Sequence, residues 1–324
     1  MDSGIGKLRW MVQAGRLIRW PNLLMVLFTM VLVRYAVILP LITDGNSSYL
    51  SPLVDFLLLV LATLLITAGG YVINDYFDVK IDRVNRPDSL TIYRWITPQR
   101  AIKINLILNA IAILIGFYLA WRIRTYSFAF IFPLVTGLLW AYSARYKKAL
   151  FWGNLLVSAL SAFVIMLVWL FEFFWLHRNP MIFANAIPDF NHVTWILLGY
   201  SLFALLVTMI REIIKDAEDI EGDLKFDCRT IPIVLGLRTT GIVLAVLTVI
   251  AMLLLGYVMV ILLRLDMMML FVYFAVSVQV PSIYLLFRIF RAGGKEDYNQ
   301  LSALTKLIMV AGILSMEILF ISLL

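Results

Sequence analysis

The chain is short of charge, of cysteine and of histidine, and each shortage excludes a class of protein. Only 15% of its 324 residues are charged while 63% are hydrophobic, which excludes an ordinary soluble domain. Its one cysteine, Cys228, excludes internal disulfides and multi-cysteine metal sites. The two histidines, His177 and His192, lie near a loop predicted on the opposite side from the acidic motifs below, too distant to act with them.

Long hydrophobic segments are what the chain has in abundance. Nine are close to the roughly 20 residues that a helix needs to cross the hydrocarbon of a bilayer. They are predicted at about residues 20–42, 53–73, 101–121, 125–143, 149–175, 193–214, 239–263, 267–290 and 302–324. The pattern predicts an all-α polytopic membrane protein, a bundle of nine transmembrane helices that forms a single domain over residues 1–324.

The basic residues predict an orientation in the membrane. With the N-terminus in the cytoplasm, 22 of the 27 Lys and Arg residues fall on the cytoplasmic side, as the positive-inside rule requires. The other five are Arg34, Arg122, Arg124, Arg178 and Arg264. The net charge of +7 therefore reflects loops of a cytoplasmic-membrane protein, not a nucleic-acid-binding face.

Two acidic motifs of matching spacing lie at the ends of hydrophobic segments, both on the predicted cytoplasmic side. The first is NDYFDVKID, residues 74–82, and the second is KDAEDIEGD, residues 215–223. Each places three aspartates at intervals of three and four residues, which on an α-helix share one face. The six candidate catalytic aspartates are Asp75, Asp78, Asp82, Asp216, Asp219 and Asp223.

The doubled motif is interpreted as a metal-bridged site for an anion. Carboxylates gathered at one membrane face repel each other unless cations lie between them, and oxygen ligands suit Mg²⁺. Basic residues that include Lys147 and Lys215 fall on the same predicted side, which favours a phosphate ligand. One triplet alone is typical of a solvated helix end, and membrane carboxylates also mark ion paths, so a cation transporter is the alternative.

The motifs resemble those of the UbiA superfamily of membrane prenyltransferases. Asn74, Asp75, Asp78 and Asp82 match its early pattern, and Asp219 and Asp223 its late one. The segment AYSARYKKALFWGN, residues 141–154, and RWPN, residues 19–22, are similar to further segments of the family. The likeness covers most of the chain.

The resemblance implies a set of site residues and a cofactor. Metal ligands are expected at Asn74, Asp75, Asp78, Asp82, Asp219 and Asp223. Substrate-binding residues are expected at Asn22, Asn74, Arg83, Arg86, Tyr142, Ser143, Lys147 and Lys215. Two Mg²⁺ ions would bridge the diphosphate of an allylic prenyl donor, and a lipophilic acceptor would take the prenyl group.

Three functions remain open at this point. RTIPIVLG, residues 229–236, and the form of both motifs are most similar to the ether-lipid branch, whose members attach a geranylgeranyl group to the hydroxyl of geranylgeranylglyceryl phosphate. After residues 85–87 (NRP), however, the chain reads DSLTIYRWIT where that branch commonly has a basic residue and a Pro-Ser-Gly turn. An aromatic acceptor, as in quinone, haem or chlorophyll pathways, is the second reading, and an ion or lipid transporter is the third.

Several polar residues inside the hydrophobic segments are predicted to act in packing. Asn105, Asn109, Gln279 and Glu317 are expected to form hydrogen bonds between helices. Arg34 is expected either to extend to the membrane surface or to face the bundle.

Overall fold

The computed structural model describes residues 12–43, 47–85, 87, 91–93, 95–178 and 180–323. Among these residues the structure is helical, and the only β-type pairing is an isolated bridge between Ile92 and Ile96. The helices, numbered in chain order, are α1 (Trp20–Ile42), α2 (Leu53–Asn85), α3 (Pro98–Arg122), α4 (Ile131–Ala144), α5 (Trp152–His177), α6 (Pro180–Glu218), α7 (Ile220–Lys225), α8 (Ile231–Arg264), α9 (Met268–Ile289) and α10 (Lys295–Leu323). The all-α class predicted from the sequence is confirmed.

Nine helical segments of the described chain are long and apolar enough to span a membrane. They are α1, α2, α3, Tyr126–Ala144, α5, Asp189–Glu218 within α6, α8, α9 and α10. The protein is therefore a multi-pass membrane protein, as the hydrophobic segments predicted. Several boundaries differ. The helix α2 continues to Asn85 and so takes in the start of the polar stretch that was expected to follow it, while α6, α8 and α10 begin before the predicted residues 193, 239 and 302.

The described residues form two compact units. One comprises the described parts of residues 1–27 and 51–147, and the other those of residues 28–50 and 148–324. Each carries one of the two acidic motifs, the first on α2 and the second at the end of α6. The single domain expected over residues 1–324 stays a prediction.

In the first unit, α2 packs closely on α3 through a small residue and two amides. Asn105 Nδ2 donates to the carbonyl of Gly69 at 2.8 Å, as expected for a residue that joins helices. A Cβ at Gly69 would lie 3.1 Å from Asn109 Oδ1, so glycine permits the approach. At the opposite end of α2 from the acidic motif, Arg122 holds the buried Asp55 by two nitrogens, at 3.0 and 2.8 Å from Oδ2.

In the second unit, a charged pair lies inside the bundle. Arg34 is 3% exposed and its NH1 lies 3.4 Å from Oε1 of Glu172, which is fully buried. Arg34 therefore faces the bundle and does not extend to the surface. It belongs to a π-helical turn of α1, Val33–Ile38. Gln279, in a second π-helical turn, donates to the carbonyl of Met252 at 2.9 Å.

One prediction about packing is wrong, and one glycine has an unusual backbone conformation. Glu317 is exposed on α10, so the expected buried contact between helices is wrong for this residue. Gly236 has a φ of 77°, a left-handed conformation that favours glycine, and it interrupts the start of α8.

Candidate active site

The first acidic motif is helical throughout, and two of its carboxylates, those of Asp75 and Asp78, pair with cations of the same unit. Asp75 Oδ1 accepts from Arg19 NH2 at 2.8 Å. Asp78, 3% exposed, pairs through Oδ2 with the ammonium of Lys147 and accepts from Asn74 Nδ2 at 2.7 Å. Because α2 runs unbroken to Asn85, the three aspartates at intervals of three and four share one face of the helix, as their spacing predicted.

The two cations are kept charged by their surroundings. Burial lowers the pKa of Lys147, but attraction to Asp78, Tyr142 and Asp82 outweighs it, and the pKa is raised above its usual range. The pKa of Arg19 is likewise raised, since Asp75 and Tyr71 outweigh the effect of burial. Both side chains therefore present positive charge beside the aspartates at any physiological pH.

One atom of this cluster is an oxygen without a hydrogen-bond partner. Asn74 is 8% exposed, and its Oδ1 is buried and accepts no hydrogen bond while its Nδ2 is committed to Asp78. A buried amide oxygen without a partner is costly unless something else binds it. A carbonyl-type oxygen beside carboxylates is a ligand that Mg²⁺ accepts, so the residues present fit the expected metal.

In the described part of the chain, the acidic side chains are not grouped into a cage that could hold a metal without a substrate. Among the residues that the structure describes, no three His, Cys, Asp or Glu side chains converge as a metal site. Mg²⁺ usually keeps several waters and binds one or two carboxylates together with substrate phosphates. The arrangement is thus typical of a metal that arrives with a phosphate ligand.

The remaining expected binding residues of the first unit differ in placement. Asn22 donates to the hydroxyl of Tyr71 at 3.1 Å, and the guanidinium of Arg19 lies 4.9 Å from the centre of the same ring. Tyr142 lies near enough to Lys147 to influence its charge. Ser143 is buried and donates to the carbonyl of Leu139 in its own helix at 2.9 Å. That bond gives no support for a binding role of Ser143.

Two expected arginines are farther from this cluster or outside the structure's description. Arg83 is exposed, with its guanidinium 5.3 Å from the ring centre of Tyr93. Arg86 lies outside the described residues.

The second acidic motif is broken where the sequence pattern indicated one helical face. Asp216 is on α6, Asp219 lies at the interruption after Glu218, and Asp223 is on the short α7. Asp216 Oδ2 accepts from Asn154 Nδ2 of α5 at 2.8 Å, Asp223 is 7% exposed and Lys215 is half-buried. The expectation that this triplet lies on one continuous helix is wrong.

The contacts add three residues to those expected at the site. Arg19 and Tyr71 belong to the cluster around Asp75, and Asn154 holds Asp216. Arg19 and Asn154 lie in the segments RWPN and AYSARYKKALFWGN, so a signal for them was present in the sequence. Tyr71, in an apolar run, gave none.

A multi-pass helical membrane protein with an Asp-rich, cation-paired motif at a helix end is the class that fold and site define. The family model described as the UbiA prenyltransferase family matches residues 45–308. The chain belongs to the UbiA prenyltransferase family.

Relatives of known name lie within the same family. A digeranylgeranylglyceryl phosphate synthase of Thermococcus sibiricus is 34% identical over 211 residues, which cover 64% of this chain and 66% of the relative. The synthase of Methanosphaera stadtmanae is 33% identical over 190 residues, 59% of this chain and 61% of the relative. The matched part spans a little under two thirds of the length of these relatives.

Solved structures share the fold. A structure of digeranylgeranylglyceryl phosphate synthase superposes with a TM-score of 0.60 at 21% identity, covering 95% of this chain and 99% of that one. A UbiA homologue from Archaeoglobus fulgidus, bound to DMAPP and Mg²⁺, superposes with a TM-score of 0.54 at 15% identity, covering 94% and 99%.

Proposed function

We propose that this protein transfers a geranylgeranyl group from its diphosphate to the hydroxyl of geranylgeranylglyceryl phosphate. The observation that carries the proposal is the cluster of Asn74, Asp75 and Asp78 with Arg19 and Lys147, in a chain of the UbiA prenyltransferase family. Relatives named as digeranylgeranylglyceryl phosphate synthases support the acceptor. Structures of a UbiA homologue from Archaeoglobus fulgidus bound to DMAPP or GPP with Mg²⁺ support a prenyl diphosphate donor and this metal.

The charges of the motif fit the proposed step. The bond from the allylic carbon to the diphosphate oxygen breaks, and the electron pair leaves with the diphosphate. The acceptor hydroxyl forms the new C–O bond, and its proton passes to the departing diphosphate. Lys147 and Arg19 carry positive charge beside the aspartates, which supports a role in stabilising the growing negative charge, usually the largest single contribution to catalysis.

Metal binding is assigned to the oxygens of both motifs. The proposed number of Mg²⁺ ions is two. Asn154 positions the neighbouring Asp216 by a hydrogen bond. The proposed metal ligands are Asn74, Asp75, Asp78, Asp82, Asp219 and Asp223. When bound, Mg²⁺ would neutralise the diphosphate and so ease its departure. The unpartnered oxygen of Asn74 supports this assignment for the first motif. Asn22, Arg83, Arg86, Tyr142, Ser143 and Lys215 complete the proposed substrate-binding set.

The reaction is tested with purified protein and labelled geranylgeranyl diphosphate. We expect product with geranylgeranylglyceryl phosphate, its loss on removing Mg²⁺ with EDTA, and recovery when Mg²⁺ is added back. A hydroxybenzoate acceptor tests the aromatic alternative. That alternative stays open because the segment after residue 87, DSLTIYRWIT, departs from the pattern of the ether-lipid branch. Product from the aromatic acceptor alone would reject the ether-lipid assignment, and ion flux in sealed vesicles without diphosphate release would reject the enzyme.

We also propose that both motifs face the cytoplasm from the cytoplasmic membrane, with the N-terminus inside. Cys228 is the one cysteine and is buried, so Cys228→Ser provides a background without thiols. In that background we expect Lys80→Cys to be protected and Arg264→Cys to be labelled by a membrane-impermeant maleimide added to intact cells. Both native side chains are exposed, which makes them a matched pair. The reverse labelling pattern would overturn the orientation.

A further inference from the structure

Many hydroxyl side chains in the described helices share one hydrogen-bond pattern, and two buried hydroxyls of α6 depart from it. In an apolar helix a Ser or Thr hydroxyl commonly donates to the carbonyl four residues back. Eleven described residues do so: Thr63, Thr67, Ser143, Ser158, Ser161, Thr194, Thr240, Thr248, Ser282, Thr305 and Ser322. Ser201 and Thr208 on α6 are 8% and 4% exposed, yet their hydroxyls have no hydrogen-bond partner.

Arg211, one helical turn after Thr208, also has a buried polar atom without a hydrogen-bond partner. Its Nε is also buried without a partner, while its NH1 lies 3.1 Å from Oε1 of the neighbouring Glu212. Residues seven and three apart on a helix lie on one side, so Ser201, Thr208 and Arg211 line a common face of α6. Lys306 of α10 interacts electrostatically with Arg211, which adds a second positive charge there.

This face of α6 lies between two packed faces of the same helix. On one side, Tyr200 shares a hydrogen bond of 3.0 Å with Ser315 of α10. On the other, Asp216 accepts from Asn154 of α5 at 2.8 Å. At about 100° per residue, Thr208 falls between Tyr200 and Asp216 around the helix. The unpartnered polar atoms therefore lie on the interior side of the second unit and not on its lipid side.

We infer that Arg211 and Thr208 bind the anionic head group of the acceptor and so select which acceptors react. The inference rests on the proposed prenyl transfer and names a part of the site that the acidic motifs do not supply. Buried polar atoms need a partner, and a guanidinium with a neighbouring Lys and one Glu retains a net positive charge, which favours an anion.

The distances along α6 suit this role. Arg211 precedes Asp216 by about 7 Å along the helix axis, so a head group at Arg211 lies one to two turns from the acidic motif. The acceptor hydroxyl, a few bonds from its phosphate, would then lie close to the second acidic motif. Ser201 lies about 15 Å from Arg211 along the helix axis, on the side away from Asp216, and is beyond the reach of the same head group. Its partner is expected to be an ordered water.

The test compares acceptors with and without the anionic group. For Arg211→Gln we expect the KM for geranylgeranylglyceryl phosphate to rise about tenfold to a hundredfold, as for loss of a charge-assisted hydrogen bond. The KM for dephosphorylated geranylgeranylglycerol and the KM for the donor should stay within about twofold of wild type. Thr208→Val should raise the KM for the phosphate acceptor by about fivefold, as for a neutral hydrogen bond. If the protein instead uses a hydroxybenzoate, the same variants should raise the KM for that carboxylate.

Two further variants separate head-group binding from a general structural effect. Thr248→Val removes a buried hydroxyl that is satisfied within its own helix, and Ser201→Ala removes an unpartnered hydroxyl out of reach. Both should leave acceptor discrimination unchanged. Equal losses for phosphorylated and dephosphorylated acceptors in Arg211→Gln, or an effect of Ser201→Ala as large as that of Thr208→Val, would overturn the inference. A wild-type protein that prenylates none of these acceptors would instead reject the proposed function itself.

Discussion

Replacing Asp78 by Asn is expected to lower prenyl transfer by roughly two to three orders of magnitude, the usual effect of removing one prearranged electrostatic group. The substitution keeps the shape and the hydrogen bond from Asn74 but removes the charge that pairs with Lys147. It also removes an anionic oxygen that the proposed Mg²⁺ needs. The rate is measured with saturating donor and acceptor over a range of Mg²⁺ concentrations.

The control is the same Asp-to-Asn substitution at an aspartate outside the two motifs. Asp266 has a φ of 56°, which Asn tolerates, and it is exposed in the turn between α8 and α9. Asp266→Asn should retain full activity, and both variants should elute as folded protein in detergent. Wild-type activity in Asp78→Asn would remove the metal-site assignment of the first motif. Asp219→Asn is expected to reproduce the loss and applies the same test to the second motif.

Breaking the buried ion pair of the second unit should have the largest effect on stability. Arg34→Leu leaves Glu172 fully buried without its cation, and such an unpaired charge costs about 3–5 kcal/mol. Thermal unfolding in detergent should therefore shift strongly downward for Arg34→Leu, and Glu172→Leu should act in the same direction. The double variant should recover most of the loss, because apolar residues of similar volume replace a buried pair well.

An exposed pair provides the matched comparison. Lys225 lies 3.2 Å from Glu221, with side chains 55% and 73% exposed. Lys225→Leu should change stability by less than about 1 kcal/mol, since solvent screens such pairs. A double variant Arg34→Leu with Glu172→Leu that is no more stable than the single ones would show that the loss comes from packing and not from the unpaired charge.

The features of this protein that depend on a regular sequence pattern could be predicted from its sequence. Nine hydrophobic segments predicted the nine candidate spans found among the described residues, because the bilayer sets a minimum length for each. The first aspartate triplet was correctly placed on one helical face, since its intervals of three and four match the helix period and the helix continues to Asn85.

What could not be predicted depends on contacts between distant residues. The pairing of Arg34 with Glu172 joins two hydrophobic segments that give no sign of each other. The same is true of Tyr71 beside Arg19. The second triplet has the same spacing as the first, yet α6 ends at Glu218, so spacing alone could not distinguish an intact helix from a broken one. The unpartnered hydroxyls of Ser201 and Thr208 are visible only once their neighbours are known.

The break at Asp219 gives the two motifs different tolerance to changes in chain length. Inserting one residue between Asn74 and Asp78 would turn every later carboxylate of α2 by about 100° and destroy their register. At the break Asp219 leaves the helical conformation although backbone hydrogen bonds of helical spacing continue on both sides of it, so an extra residue is absorbed there at lower cost than inside α2. Insertions and deletions among relatives should therefore accumulate near residues 218–220 and be absent from residues 74–82.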